Sequence, residues 1–278
     1  VNEYMAVDPS LVHYKETRNI SLGNRKFTGI DMIDDHICIV GEQFLQIISK
    51  DGQQKLFTEL DGPPTCVKAH GGKIYIGFNT HLQVYDQSGV KQSSWEELGP
   101  KSVITSIAVK DNRIYVADAG NRRVVIYDSN GSIRGEFEGK ASSDAGHGFI
   151  IPSANFDLVV NSYGELWVVN PGKHAIEHYT DDGELRGFWQ SSAMTIEGFT
   201  GCCNPAKIAV LEDGSFVTSE KGLVRIKIYD QSGKLKSVVA PPEKFRKEGK
   251  APDIVADKDG TIYALDFDKL MIRTFELK

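Results

Sequence analysis

Ile126-Tyr127-Asp128-Ser129-Asn130-Gly131 is the stretch on which the fold turns, because the chain repeats its pattern. An apolar or aromatic strand end runs into a tight glycine turn. Asn-Gly, Asp-Gly and Ser-Gly are hairpin chemistry, since glycine reaches positive φ without steric cost. The pattern recurs at Ile47-Ile48-Ser49-Lys50-Asp51-Gly52, Val84-Tyr85-Asp86-Gln87-Ser88-Gly89, His178-Tyr179-Thr180-Asp181-Asp182-Gly183 and Ile228-Tyr229-Asp230-Gln231-Ser232-Gly233. Upstream of each lies a second apolar strand: Ile37 to Val40, Ile74 to Gly77, Ile114 to Ala117, Leu166 to Val169 and Phe216 to Ser219, with a sixth copy at Ile262 to Leu265. A third strand precedes each, centred on Ile30, Val67, Ile107, Leu158, Ile208 and Ile254, and is joined to the second by polar turns such as Asp213-Gly214 and Asp259-Gly260. A fourth follows the hairpin turn, as at Ile133 to Phe137 and Leu235 to Val239.

Four antiparallel strands repeating every ~40 to 50 residues match the blades of a β-propeller. Helical periodicity never persists beyond a turn or two, apart from a short helix expected at Glu243 to Lys247. Six copies fill residues 1–278 and leave no room for a second domain. The sixth copy stops after its Ile272 to Leu277 strand, one strand short, and Leu11 to Leu22 is the expected replacement. Closing the ring with a strand from the other end of the chain removes an open edge. The expected fold is all-β: a six-bladed β-propeller of four-stranded antiparallel blades, its last blade completed by the N-terminal strand.

Composition narrows the function classes. Apolar residues make up 40% of the chain and charged residues 25%, which excludes wholesale disorder. No apolar run reaches the ~20 residues that span a bilayer. A net charge of -6 argues against a general nucleic-acid binder, which carries a basic footprint. The first residue is Val1, as expected of a trimmed or processed chain, and any targeting peptide lies upstream of it. Cys38, within Ile37-Cys38-Ile39-Val40, and Cys66, before Val67, read as small buried hydrophobes.

The third repeat contains Ala117-Asp118-Ala119-Gly120-Asn121-Arg122-Arg123-Val124-Val125-Ile126-Tyr127-Asp128, and the fifth Arg225-Ile226-Lys227-Ile228-Tyr229-Asp230. These resemble the NHL repeat motif; Phe44, His81, Ala175 and Met271 stand where the motif has its Arg in the other copies. Gly198-Phe199-Thr200-Gly201-Cys202-Cys203-Asn204-Pro205 is similar to a stretch in bacterial NHL-type six-bladed propellers. Such proteins are commonly exported, so the resemblance implies an extracytoplasmic setting, periplasmic or envelope-anchored. The NHL class includes a peptide-amidating lyase, RNA-binding modules and protein-interaction modules, and the fold by itself selects none of them.

Propeller strands run alternately up and down, so the loops sort by face. The tight turns share one face. The inter-blade connections and the loops between second and third strands share the other, and there they are long and varied: Ser142 to Ser153, Ser191 to Asn204, Pro241 to Pro252, Asp118 to Arg122, Asn170 to His174 and Glu220 to Leu223. Function concentrates on such loops. The inner strands start at this face, so Ser106, Asp157, Lys207 and Asp253 are expected to line a central funnel.

Cys202-Cys203, just before Asn204-Pro205, is the least ordinary feature. The pair reads as a redox dithiol, a vicinal disulfide or soft metal ligands, with Lys207 or Lys221 supplying the positive charge a thiolate needs. The alternative is one Cys packed inward and one filling the loop. His147, in Gly146-His147-Gly148, reads as a base or ligand, or as a solvent-exposed loop His. Arg122, Arg123, Lys173, His174, Lys221 and Arg225 form a positive sector suited to an anionic ligand or acidic partner. The motif arginines Arg123 and Arg225 read alternatively as structural, bridging neighbouring blades. Asp157 and Asp253, with Lys207, could hold a cation in the funnel or form a salt-linked plug. No cofactor is specified beyond that possible metal ion.

The leading expectation is a non-enzymatic binding propeller of the bacterial cell envelope, using the long-loop face and funnel. Its partner would be a protein or a small anionic ligand, with no nucleic acid, and membrane contact only through a removed anchor. A monomer is the default. The rival is a metal- or thiol-dependent lyase or hydrolase with its site near Cys202-Cys203. The metal-binding histidines of the amidating lyase cannot be matched onto these blades.

Overall fold

Asp128 shows how local chemistry sets the blade. Its Oδ1 accepts the N–H groups of Asn130 at 2.9 Å and Ser132 at 3.0 Å, while Gly131 takes φ 85° to complete the turn. Asp86 and Asp230 hold the corresponding turns of two other blades in the same way. Strands paired by such hairpins build up sheets of consecutive neighbours. The computed structural model describes residues 6–139 and 147–278, and these form six four-stranded antiparallel sheets arranged as a propeller.

The six inner strands are Phe27–Ile33, Cys66–His70, Ile104–Lys110, Leu158–Val160, Lys207–Val210 and Asp253–Ala256, which begin blades 1 to 6. Blade 4 continues through Leu166–Asn170, Ala175–Tyr179 and Leu185–Gln190; blade 5 through Phe216–Ser219, Ile226–Tyr229 and Leu235–Ala240. In blade 6 the fourth strand is Tyr14–Ser21, which pairs with Met271–Leu277 from Tyr14 opposite Leu277 to Ser21 opposite Met271. The ring is thus closed by the N-terminal strand. Glu16 reinforces the closure by accepting two N–H bonds from the Arg273 guanidinium, both at 2.9 Å.

The apolar core is distributed around the ring. Six clusters of buried side chains each join two adjacent blades; one unites Tyr115, Ile126 and Phe137 of blade 3 with Leu158, Val168 and Tyr179 of blade 4. The closing junction holds Ile20, Phe27, Ile39, Tyr263 and Ile272. The second and third strands of each blade bury residues on both faces, because each sheet is sandwiched between two others. Full burial of one such side chain contributes about 1.5–3 kcal/mol. The hairpin glycines serve this packing as well as the turn. A Cβ on Gly131 would lie 2.5 Å from the Trp95 indole of the preceding blade, and one on Gly233 2.6 Å from Trp189.

Among the described residues there is no α-helix. The helix expected at Glu243 to Lys247 is a single 3-10 turn, Pro242–Lys244, and Phe245 is already extended at φ -123°. One turn lacks the length to offset helix nucleation, and Phe245 instead lies against the Arg273 guanidinium, 4.7 Å from ring centroid to Cζ.

Candidate functional site

The inner strands enclose an axial cavity of about 460 Å³, lined from all six blades. Cys66, Ser106, Asp157, Lys207 and Asp253 line it where the strands begin, and Lys68, His70, Lys110, Asp111, Asn161 and Ser162 where they run into the tight turns. The cavity therefore extends toward the tight-turn face, beyond the ring of charged groups that the sequence points to. Those groups stitch blades together. Asp157 Oδ1 accepts from Ser106 Oγ of blade 3 at 2.5 Å, and its Oδ2 accepts the N–H of Ile208 in blade 5 at 2.8 Å. Asp253 Oδ2 accepts the N–H of Ile30 in blade 1 at 3.1 Å. Burial raises the pKa of both acids against the opposing charge of Lys207, and Asp253, with Asp157 also pushing it up, reaches about 6. Carboxylates so occupied act first as joints. Among the described residues no cluster of three or more His, Cys, Asp or Glu is placed to hold a metal ion.

On the long-loop face Asn204 is a hub. Its side-chain amide donates to the carbonyls of Thr200 at 2.7 Å and Lys221 at 3.0 Å, and its Oδ1 accepts the Lys221 N–H at 2.9 Å. Its own carbonyl oxygen lies 2.7 Å from His174 Nδ1. Four bonds thus tie the connection entering blade 5 to the loops of blades 4 and 5. His174, in the left-handed region at φ 53°, is engaged in that frame. Asn204 is 1% exposed, and the Asn204–Pro205 peptide bond is cis.

Cys202 and Cys203 are both free thiols, the first exposed and the second buried, with sulfurs 2.8 Å apart. Burial pushes the Cys203 thiol up, yet hydrogen bonds with Cys202, Ser153 and Lys221, together with the Lys221 charge, bring it below its ordinary value. The hydrogen bond and charge of Cys203 raise Cys202. Lys221 Nζ also donates to Ser153 Oγ at 3.3 Å. Lys221, rather than the axial Lys207, is thus the cation beside the pair. Cys38 and Cys66 sit in the core, where burial raises both thiols, Cys66 to about 12.

His147 differs from the exposed loop histidine that its glycine neighbours suggest: it is only 8% exposed. Its Nε2 lies 2.5 Å from Glu177 Oε2, and Lys173 Nζ is 3.5 Å from its Nδ1. Glu177, fully buried on the third strand of blade 4, also accepts from Tyr179 Oη at 2.7 Å and from Asn170 Nδ2 at 3.3 Å. Sequence reasoning passed over Glu177 and reached Asn170 and Ser153 only as ends of the loops Asn170 to His174 and Ser142 to Ser153. The available signal for Glu177 was its register: Gln83, Glu177, Lys227 and Arg273 stand two residues past the motif-Arg position of their repeats, each a polar group inside an apolar strand. Residues 142–146 of the expected loop lie outside the described residues.

The positive sector divides in two. Arg123 bonds Asp118 and Glu136 of its own blade. Arg225 bonds Glu220 at 2.7 Å and the Gly198 carbonyl at 2.9 Å, fully buried. Both are structural, but they brace their own blade and its incoming connection instead of bridging two blades, because their acid partners come from the adjacent strand ends. Lys227 joins the same buried group, 3.1 Å from Glu220, and burial lowers it to about 8. Arg122, Lys173 and Lys221 remain: they occupy the second-to-third-strand loops of blades 3, 4 and 5, are partly exposed, and form no ion pair with a carboxylate among the described residues.

Solved structures share this architecture. It is a six-bladed β-propeller. A streptogramin B lyase superimposes with TM-score 0.69 at 15% identity, covering 95% of this chain and 98% of the other. A catalytically inactive virginiamycin B lyase from Staphylococcus aureus with quinupristin gives TM-score 0.69 at 16% identity, covering 95% and 100%. The WD40 propeller domain of Doa1 gives TM-score 0.63 at 12% identity, covering 95% and 97%. No protein-family model matches the sequence, and no curated protein matches it. At these identities the likeness is one of fold, and it spans lyases and WD40 domains alike.

Proposed function

We propose that the chain is an NHL-type propeller of the bacterial cell envelope that binds an anionic ligand or an acidic protein surface on its long-loop face, as a monomer and without enzymatic turnover. The observation that carries this reading is the set Arg122, Lys173 and Lys221. Three loops of successive blades each present a cation that has no carboxylate partner among the described residues, in a chain whose net charge is -6. Asp118, Glu220, Asp266 and Glu16 neutralise the neighbouring arginines. Cations without a carboxylate among the described residues, set beside paired ones, form a local positive field that draws and orients an anion. The rigid ring holds the loops in place, so little ordering entropy is lost on binding.

Calorimetric titration with citrate, inorganic pyrophosphate and an oligoglutamate peptide, at low and physiological ionic strength, tests the reading. Salt-sensitive binding of at least one of them is expected, reduced tenfold or more by the combined Arg122→Glu, Lys173→Glu and Lys221→Glu substitutions. Absence of binding, or binding indifferent to the three substitutions, overturns it.

One observation favours a second reading, an enzyme of lyase type. Glu177 orients His147 through one ring nitrogen and leaves the other toward Lys173, the arrangement of a general base beside a cation. Incubation with quinupristin, the ligand of one structural neighbour, followed by mass spectrometry of wild type and His147→Ala, distinguishes the two. Cleavage that the substitution abolishes replaces binding by catalysis.

A further inference from the structure

We propose that Cys202 and Cys203 are a redox-active dithiol on the long-loop face, with Cys202 as the sulfur that exchanges with external thiols and disulfides and Cys203 as the sulfur that resolves the mixed disulfide. This goes beyond ligand binding and does not depend on it.

Geometry divides the roles. The two sulfurs touch at 2.8 Å. Cys202 is exposed, so an external disulfide can reach it, whereas Cys203 is 1% exposed and cannot be approached in line from solvent. Two groups from separate connections gather at Cys203. Lys221 comes from the loop after the second strand of blade 5 and Ser153 from the connection into blade 4, their Nζ and Oγ 3.3 Å apart. An ammonium and a hydroxyl around a sulfur stabilise its thiolate, the form that attacks and the form that leaves. The direction of the thiol shifts, lowered at Cys203 and raised at Cys202, follows from the same contacts. The Asn204 hub fastens the loop to Thr200 and Lys221 on both sides of the pair, which keeps the sulfurs together.

The chemistry balances with a low-molecular-weight disulfide as oxidant. The Cys202 thiolate attacks one of its sulfurs, the external S–S bond breaks, and one thiolate departs and takes up the proton that Cys202 lost. The Cys203 thiolate then attacks Cys202 Sγ, the mixed disulfide breaks, and the second thiolate leaves and is protonated. Two protein thiols have lost two electrons and two protons, and the external disulfide has become two thiols. Reduction runs the same path backwards: a thiolate attacks the exposed Cys202, and Cys203 leaves toward Lys221. Adjacent Cα atoms lie ~3.8 Å apart, short of the ~4.4–6.8 Å usual for disulfides, so the closed ring is strained and reopens readily. A reversible contact of this kind is a site of thiol exchange, whereas the buried Cys38 and Cys66 are built to stay reduced.

The test treats the full chain with oxidised glutathione, then maps peptides by mass spectrometry after alkylation. Wild type is expected to lose two hydrogens on the Cys202-Cys203 peptide and to regain both alkylatable thiols with reduced glutathione. Cys203→Ser is expected to accumulate glutathione on Cys202, with Cys203→Ala as the second variant should the serine fail to fold. Lys221→Met is expected to slow reopening about threefold, because the leaving Cys203 thiolate loses its neighbouring positive charge. Thiols that stay free in wild type overturn the proposal, and so does a mixed disulfide that persists there unresolved.

Discussion

Asp253, on the last inner strand, accepts the backbone N–H of Ile30, on the first, at 3.1 Å. The ring is therefore joined at its centre as well as at its rim, where Glu16 meets Arg273. Asp253 is buried and its pKa is raised to about 6, burial being the main cause. An acid whose folded value exceeds its unfolded value stabilises the fold in its protonated form. The contribution is full below the unfolded value of about 4 and is lost as pH rises through the folded value. Wild-type stability should carry a component that falls between about pH 4 and 6, worth on the order of 2–3 kcal/mol. Asp253→Asn should lack it. Urea unfolding of both proteins across that range checks this, and parallel profiles refute it.

Glu16 behaves in the opposite sense. The Arg273 guanidinium beside it holds its carboxyl at about 2. Its contribution is present above the unfolded value, 4.5, and disappears as pH falls toward about 2. Glu16→Gln should cost about 1–2 kcal/mol at neutral pH, discounted for the part of the pair that faces water. The variant should also release the first strand early, which hydrogen exchange at residues 14–21 would register. Unchanged protection there would separate the ion pair from ring closure.

Glu220 lies between two buried cations, Arg225 and Lys227. Glu220→Gln removes the carboxylate that both cations touch and is expected to cost about 3–5 kcal/mol. Replacing all three residues by apolar side chains of similar volume should cost much less, since no buried charge then remains. Equal losses in the two variants, measured by chemical denaturation, would contradict this account.

Gly233 turns at φ 89° with the Trp189 ring close above it. Gly233→Ala meets a disfavoured backbone and a ring 2.6 Å from the new Cβ. A loss of about 2–4 kcal/mol follows from strain and overpacking together. An alanine variant as stable as wild type would show that the Trp189 junction yields easily.

The glycine hairpins and their flanking apolar strands determined the blade, the count of six and the closure by Tyr14–Ser21, because each of these signals is local or repeats along the chain. Cys38 and Cys66 were legible as core for the same reason: an apolar run is buried in either face of a sandwiched sheet. What the loops bring together was decided only by tertiary structure. Asn204 reaches His174 and Lys221, and Ser153 reaches Lys221, across 17 to 68 residues of chain. His147 finds Glu177 over 30. No local pattern encodes these pairings, since they depend on how far each connection rises above its blade and where it folds back. The same holds for charge. The sequence marked a positive sector, but whether a cation is spent follows from which carboxylate the fold sets within hydrogen-bond reach: among the described residues Arg123 and Arg225 are paired, and Arg122, Lys173 and Lys221 have no acid partner.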